Sequence, residues 1–225
     1  SILIDSISPD EELRRILEYR TQELIEYQNS SFAKQYIDFV GNIYEKEKKT
    51  RSSSDLTQNV AKYLFKLMAT KDEYEVARLS LKAELDTAIS QEFGKSAKIN
   101  YMLHPPFLKA MENIPVLNML PGVKSKLALG SWFKVFYVML KNMKFLRGTP
   151  LDFMAWFSSD VRKADNKALN HYKSILTDNL DEIGNGKYQD LKEFSVLPDI
   201  IRGYEEVRLE TMTEYYKKSD NLFKS

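Results

Sequence analysis

The sequence contains no cysteine and only two histidines, His104 and His171. That excludes disulfides, cysteine nucleophiles, CxxC redox pairs and thiolate-held iron–sulfur clusters from this segment, and it makes a His-rich metal site unexpected. Charge of one sign is also missing. Lys plus Arg number 33 and Asp plus Glu 32, a net of +1. Basic residues alternate with acidic ones, so neither a nucleic-acid nor a membrane partner is expected. The most apolar stretch, Trp132 to Leu146, is too short to span a bilayer and is broken by Lys134, Lys141 and Lys144. The first residues carry no charged-then-apolar leader, so no signal peptide is expected. With no cysteine, a cytoplasmic location fits. The chain starts at Ser1 without methionine, which fits a processed protein or an excised fragment. Gly184-Asn185-Gly186 follows a helical pattern and is read as a turn, not a phosphate loop. No GxSxG elbow, HExxH helix or EF-hand loop is present. No residue is assigned a catalytic, cofactor-binding or metal role.

Apolar residues make up 43% and charged residues 29% of 225, ordinary globular values for a chain that can enclose a core without staples. Helical periodicity dominates. Ser8-Pro9-Asp10-Glu11 reads as a start, followed by Leu13, Ile16, Leu17, Leu24 and Tyr27. Asn29-Ser30-Ser31 breaks the pattern, and Phe32 to Tyr44 carries a second stripe. Ser54 or Asp55 caps a third, from Leu56 to Met68. A fourth is expected from Tyr74 to Ile89, stopping at Gly94. Residues 98–103 read as a short extended segment, and 104–130, punctuated by four prolines, as a long irregular connection. The helix 132–146 is expected at the centre of the core. A long amphipathic helix follows from Val161 to Ile183. Pro198 opens the last, with Ile201, Tyr204, Val207, Met212 and Tyr215 inward. The expected fold is mainly α: one multi-helix globular domain over 1–225, with at most a short extended segment near 98–103.

Four stretches, taken in order and spacing, resemble a known family. They are Ile25-Glu26-Tyr27-Gln28-Asn29; Tyr63 to Met68 leading into Lys71-Asp72-Glu73-Tyr74-Glu75-Val76-Ala77-Arg78-Leu79; Phe145-Leu146-Arg147-Gly148-Thr149-Pro150-Leu151-Asp152; and Leu197-Pro198-Asp199-Ile200-Ile201-Arg202-Gly203. The chain resembles, over nearly its whole length, the uncharacterised C-terminal helical domain of indolepyruvate ferredoxin oxidoreductases. Such enzymes oxidatively decarboxylate arylpyruvates with thiamine diphosphate, transfer the acyl group to coenzyme A and pass electrons to ferredoxin. The resemblance implies thiamine diphosphate, magnesium and an iron–sulfur cluster for a parent enzyme, with its other domains or subunits and ferredoxin as partners. The GDG…Asn signature for thiamine diphosphate and magnesium, like the cluster cysteines, is missing here, so the machinery belongs elsewhere in the parent. Two departures stand out. Where the family carries a Gly and a His before a Val-Lys pair, this chain has Glu205-Glu206 before Val207-Arg208. Where Pro-Phe-Gly follows the Asp, this chain has Phe153-Met154-Ala155.

Several charged residues admit two readings. Lys71, Asp72, Glu73, Glu75 and Arg78 form either an interface or anion site, or a helix N-terminus with a weak Glu75–Arg78 pair at i,i+3. Arg147 with Gly148 either binds a phosphate or carboxylate or closes a helix C-terminus, with Gly148 left-handed and Asp152 in a capping box. Arg202 is expected to pair with an acid, with Asp72 or Glu73 as the candidates. His104 reads as a loop side chain. Trp132, Phe133, Phe136 and Tyr137 read as core. The leading expectation is a non-catalytic accessory domain that supports assembly or covers the active site. One alternative has Arg78, Arg147 and Arg202 converging on coenzyme A or a 2-oxoacid; the other is a stand-alone helical protein-interaction module.

Overall fold

The computed structural model describes residues 10–94, 101–103, 127–129, 133–152, 154–155 and 159–223. Nine α-helices lie among them: α1 Glu11–Tyr27, α2 Ser30–Thr50, α3 Asp55–Met68, α4 Glu73–Ser80, α5 Ala83–Phe93, α6 Phe133–Asn142, α7 Ser159–Asp178, α8 Tyr188–Val196 and α9 Glu205–Phe223. Three 3-10 segments, Met143–Leu146, Leu180–Asn185 and Leu197–Ile200, punctuate them. Strands β1 Tyr101–Leu103 and β2 Leu127–Leu129 pair antiparallel, Tyr101 opposite Leu129. The protein is mainly α, a multi-helix globular fold.

The chain was read from its sequence as one domain over 1–225; its contacts fall into two compact units, Ser1–Thr70 with Asp160–Ser225, and Lys71–Ser159. In the first, α1, α2 and α3 pack on one another, and α8 packs on α3. Its core holds Leu13, Leu17, Leu24, Tyr36, Val40, Ile43, Leu56, Val60 and Leu64 with Tyr172, Leu176, Leu191, Phe194 and Tyr215. In the second, α4 packs on α6, and a smaller core gathers Tyr74, Ala77, Tyr137, Leu140 and Met154.

Local chemistry explains the helix starts. Asp10 accepts from the Glu12 and Leu13 amides at 3.1 and 3.3 Å and caps α1. The cap is therefore Asp10 rather than Ser8, which with Pro9 lies outside the described residues. Asn29 caps α2 through the Phe32 amide at 2.9 Å. Ser54 precedes α3, yet its side chain makes no capping bond. Glu47, fully buried at the end of α2, takes that role. Its carboxylate accepts from the Leu56 amide (3.0 Å), the Thr57 amide (2.8 Å), the Thr57 hydroxyl (2.6 Å) and the Tyr188 hydroxyl (2.8 Å). A polar group at zero exposure is tolerated because four donors, two at a helix N-terminus, replace its water.

Other expectations need correction. The helix expected over 74–89 is two, α4 and α5, interrupted at Leu81-Lys82. Part of the expected irregular connection, 127–129, is a strand, three residues being too few to register as alternation; 104–126, with His104, lie outside the described residues. Helix α6 is not at the centre of the main core. Tyr137 and Leu140 face the small core, while Val135 is 77% and Met139 49% exposed, since among the described residues one face of this mostly apolar helix is the packed one. Trp132 lies outside the described residues. The long helix stops at Asp178 and continues as 3-10, and α8, with no sequence expectation, follows. Pro198 opens a 3-10 turn rather than the last helix, and Tyr204 and Val207 are exposed instead of inward.

Candidate functional site

In the second unit, Asp72 caps α4 by accepting from the Glu75 amide at 2.9 Å. The same carboxylate receives Arg147 bidentately, Nε to Oδ2 at 2.6 Å and Nη2 to Oδ1 at 2.8 Å. These side chains are 12% and 6% exposed, so water screens the pair little. The Arg147 guanidinium lies 5.5 Å from the Tyr74 ring centroid. Tyr74 in turn donates its hydroxyl to Asp152 Oδ1 at 2.9 Å. Asp152 Oδ2 accepts from the Gly148 amide at 3.0 Å, and Oδ1 from the Ala155 amide at 3.3 Å. Gly148 adopts φ +76°, a left-handed backbone that glycine holds without penalty. One turn along α4, Arg78 clasps Glu75 through Nε and Nη2, both at 2.8 Å.

Two readings are thereby corrected. Glu75–Arg78 is not a weak exposed pair, because both residues are 5% exposed. Arg202, expected to pair with Asp72 or Glu73, has a partner inside its own unit. It binds Asp199, three residues back, with Nη2 to Oδ2 at 2.6 Å, while Asp72 is taken by Arg147. Lys71 is exposed, and Glu73 sits half-buried in the first turn of α4. Arg78 and Arg147 belong to the second unit and Arg202 to the first.

The sequence reading missed Tyr74 and Asp152 as partners. Tyr74 looked like one more apolar position, and Asp152 like a local cap. Only a contact across 78 residues joins them.

In the first unit a second seam forms. Lys66 donates to the Asp199 carbonyl at 3.0 Å and to its carboxylate at 3.4 Å. Burial lowers the Lys66 pKa, and the Arg202 hydrogen bond lowers that of Asp199. Arg208 Nε reaches the largely buried Asp165 at 2.7 Å. Gly203, at φ +78°, admits no side chain, since a Cβ there would meet Val207 Cγ1 at 2.6 Å. The next bend is made by Glu205 at φ +47°, the one non-glycine with positive φ among the described residues.

Chemically, both seams are closed circuits of charge. The arginines named above each hold a carboxylate of their own unit. Among the described residues no cluster of three or more His, Asp or Glu is placed to hold a metal ion, and no helix is long and apolar enough to cross a membrane. No curated protein and no solved structure matches the chain. Residues 13–221 match a family described as a family of unknown function, DUF6537. With a helical scaffold whose charged residues hold one another and a match over nearly all of its length, the chain belongs to that family.

Proposed function

We propose that this chain is a non-catalytic helical accessory domain of a thiamine-diphosphate-dependent indolepyruvate (2-oxoacid) ferredoxin oxidoreductase, supporting assembly of that enzyme or covering its active site. The enzyme assignment rests on the four resembling stretches; the accessory role is supported by how those stretches meet. Tyr63–Met68 and Leu197–Gly203 share the Lys66–Asp199 contact, and 71–79 and 145–152 share the Asp72–Arg147 and Tyr74–Asp152 contacts. Their residue types are accounted for by holding the fold, with no substrate invoked. The carboxylates on Arg78, Arg147 and Arg202 weigh against these cations as a coenzyme A or 2-oxoacid site, because an incoming anion would have to displace a bound one. Glu205 adds support: it stands where the resemblance implies glycine, and its backbone is left-handed. Thiamine diphosphate, magnesium, the iron–sulfur cluster and the ferredoxin contact belong, on this reading, to other parts of a cytoplasmic parent.

The test is arylpyruvate-dependent reduction of ferredoxin or a viologen dye by the parent protein, with and without these 225 residues, checking cofactor content in both. The expected result is that the intact parent is active and that deletion lowers assembled enzyme or turnover while thiamine diphosphate stays bound. A native gene with no thiamine-diphosphate domain, or an intact parent inert toward arylpyruvates, overturns the reading.

A further inference from the structure

A shallow, open depression of about 620 Å³ runs along one face of helix α7, lined by Lys163, Asn166, Lys167, Asn170, His171 and Ser174. The spacing i, i+3, i+4, i+7, i+8, i+11 makes a continuous stripe of about 16 Å at 1.5 Å per residue. Behind it stands an aromatic wall. The His171 ring lies edge-on to Tyr216, Tyr215 and Phe194, with centroids 5.0, 5.6 and 6.2 Å away. His171 Nδ1 bonds the Tyr215 hydroxyl at 3.1 Å, which fixes the ring. The Lys167 ammonium sits 5.3 Å from the Tyr216 centroid. The Tyr216 hydroxyl is buried without a hydrogen-bond partner, a condition that folded proteins seldom leave unmet.

Lys34, Lys46, Lys66, Lys192 and Lys218 each pair with a carboxylate; Lys163 and Lys167, like the exposed Lys49, have none among the described residues, but only these two stand one turn apart on the same face. Two ammonium groups one turn apart on a helix repel, and an anion between them removes that repulsion. Carboxylates border the stripe at both ends: Asp160 stands one turn before Lys163, while Asp178 accepts from Ser174 and Asp220 acts on His171.

We propose that this face binds a small multivalent oxyanion, a diphosphate or dicarboxylate, held by Lys163 and Lys167 with the Asn166 and Asn170 amides and His171 alongside. This site is independent of the enzyme assignment above and involves none of its arginines. The experiment titrates the full chain with inorganic pyrophosphate and, separately, citrate at low salt, following the His171 ring resonances and the heat of binding. One probe is expected to saturate with a Kd below about 1 mM. Lys163→Gln with Lys167→Gln is expected to weaken it by about tenfold or more, and Lys49→Gln to leave it unchanged. Both replaced lysines are exposed, so the fold survives, as the melting curve will show. Tighter pyrophosphate assigns a phosphate ligand, and tighter citrate a carboxylate one. No saturation by either probe up to about 10 mM, or equal losses for Lys49→Gln and the stripe variants, overturns the proposal.

Discussion

Replacing Arg147 by Met tests whether the seam of the second unit holds it together. Asp72 would keep its bond from the Glu75 amide and lose both bonds from Arg147, at 2.6 and 2.8 Å. Its side chain is only 6% exposed, so water cannot readily take the place of the guanidinium. Removing one partner of a buried pair costs about 3–5 kcal/mol. The surviving capping bond brings the expectation down to about 2–4 kcal/mol. Arg202→Met is the control. It also breaks a bidentate-capable pair with an aspartate, but at 69% and 50% exposure, where such a pair is worth under about 1 kcal/mol. Urea unfolding with amide exchange read separately on α4 and α6 measures both. Adding Asp72→Asn to Arg147→Met should recover about 1 kcal/mol or more, since no buried charge is then stranded. If Arg147→Met costs no more than Arg202→Met, the seam contributes nothing to stability and the accessory reading loses its main support.

Three further outcomes are expected. Glu47→Ala strands four donors, two of them backbone amides, and should cost about 3–5 kcal/mol, seen as a lower urea midpoint; a loss under about 1 kcal/mol would mean water caps α3 equally well. Glu205→Gly should stabilise by about 0.5–1 kcal/mol by relieving the left-handed backbone, and a destabilised variant would show that the glutamate side chain outweighs that strain. The Ser54 hydroxyl holds the Asp10 pKa below its ordinary 3.8, helped by the Leu13, Gln58 and Glu12 donors. The folded carboxyl thus binds its proton later than the unfolded one. That contribution is complete above pH 3.8 and fades as pH falls through the folded value. Ser54→Ala should flatten this part of the acid-stability curve, and an unchanged curve would refute the assignment.

Much of the first unit was legible in one dimension. The stripes Leu13-Ile16-Leu17-Leu24 and Leu56-Val60-Leu64-Leu67 are buried as their spacing required, because amphipathic period and burial are the same fact seen twice. Asn29, read only as part of a break between two helices, caps the second of them. Tyr204 and Val207 failed the same test because the chain turns at Gly203 and Glu205, which starts the helix later and rotates its first turn away from the core. Helix α8 escaped notice because nine residues carry too few repeats to show a period.

The sequence alone determined that this protein would be helical, roughly where most helices begin, and which charged residues were worth watching. Those properties depend on neighbours a few positions apart. Only the tertiary structure decided that Arg147 answers Asp72, that Tyr74 answers Asp152, that Glu47 caps a helix other than its own, and that 71–159 forms a unit apart. Each of these joins groups distant along the chain or aligned only by packing, and side-chain charge is specific about sign and distance but carries no record of which partner folding will bring near.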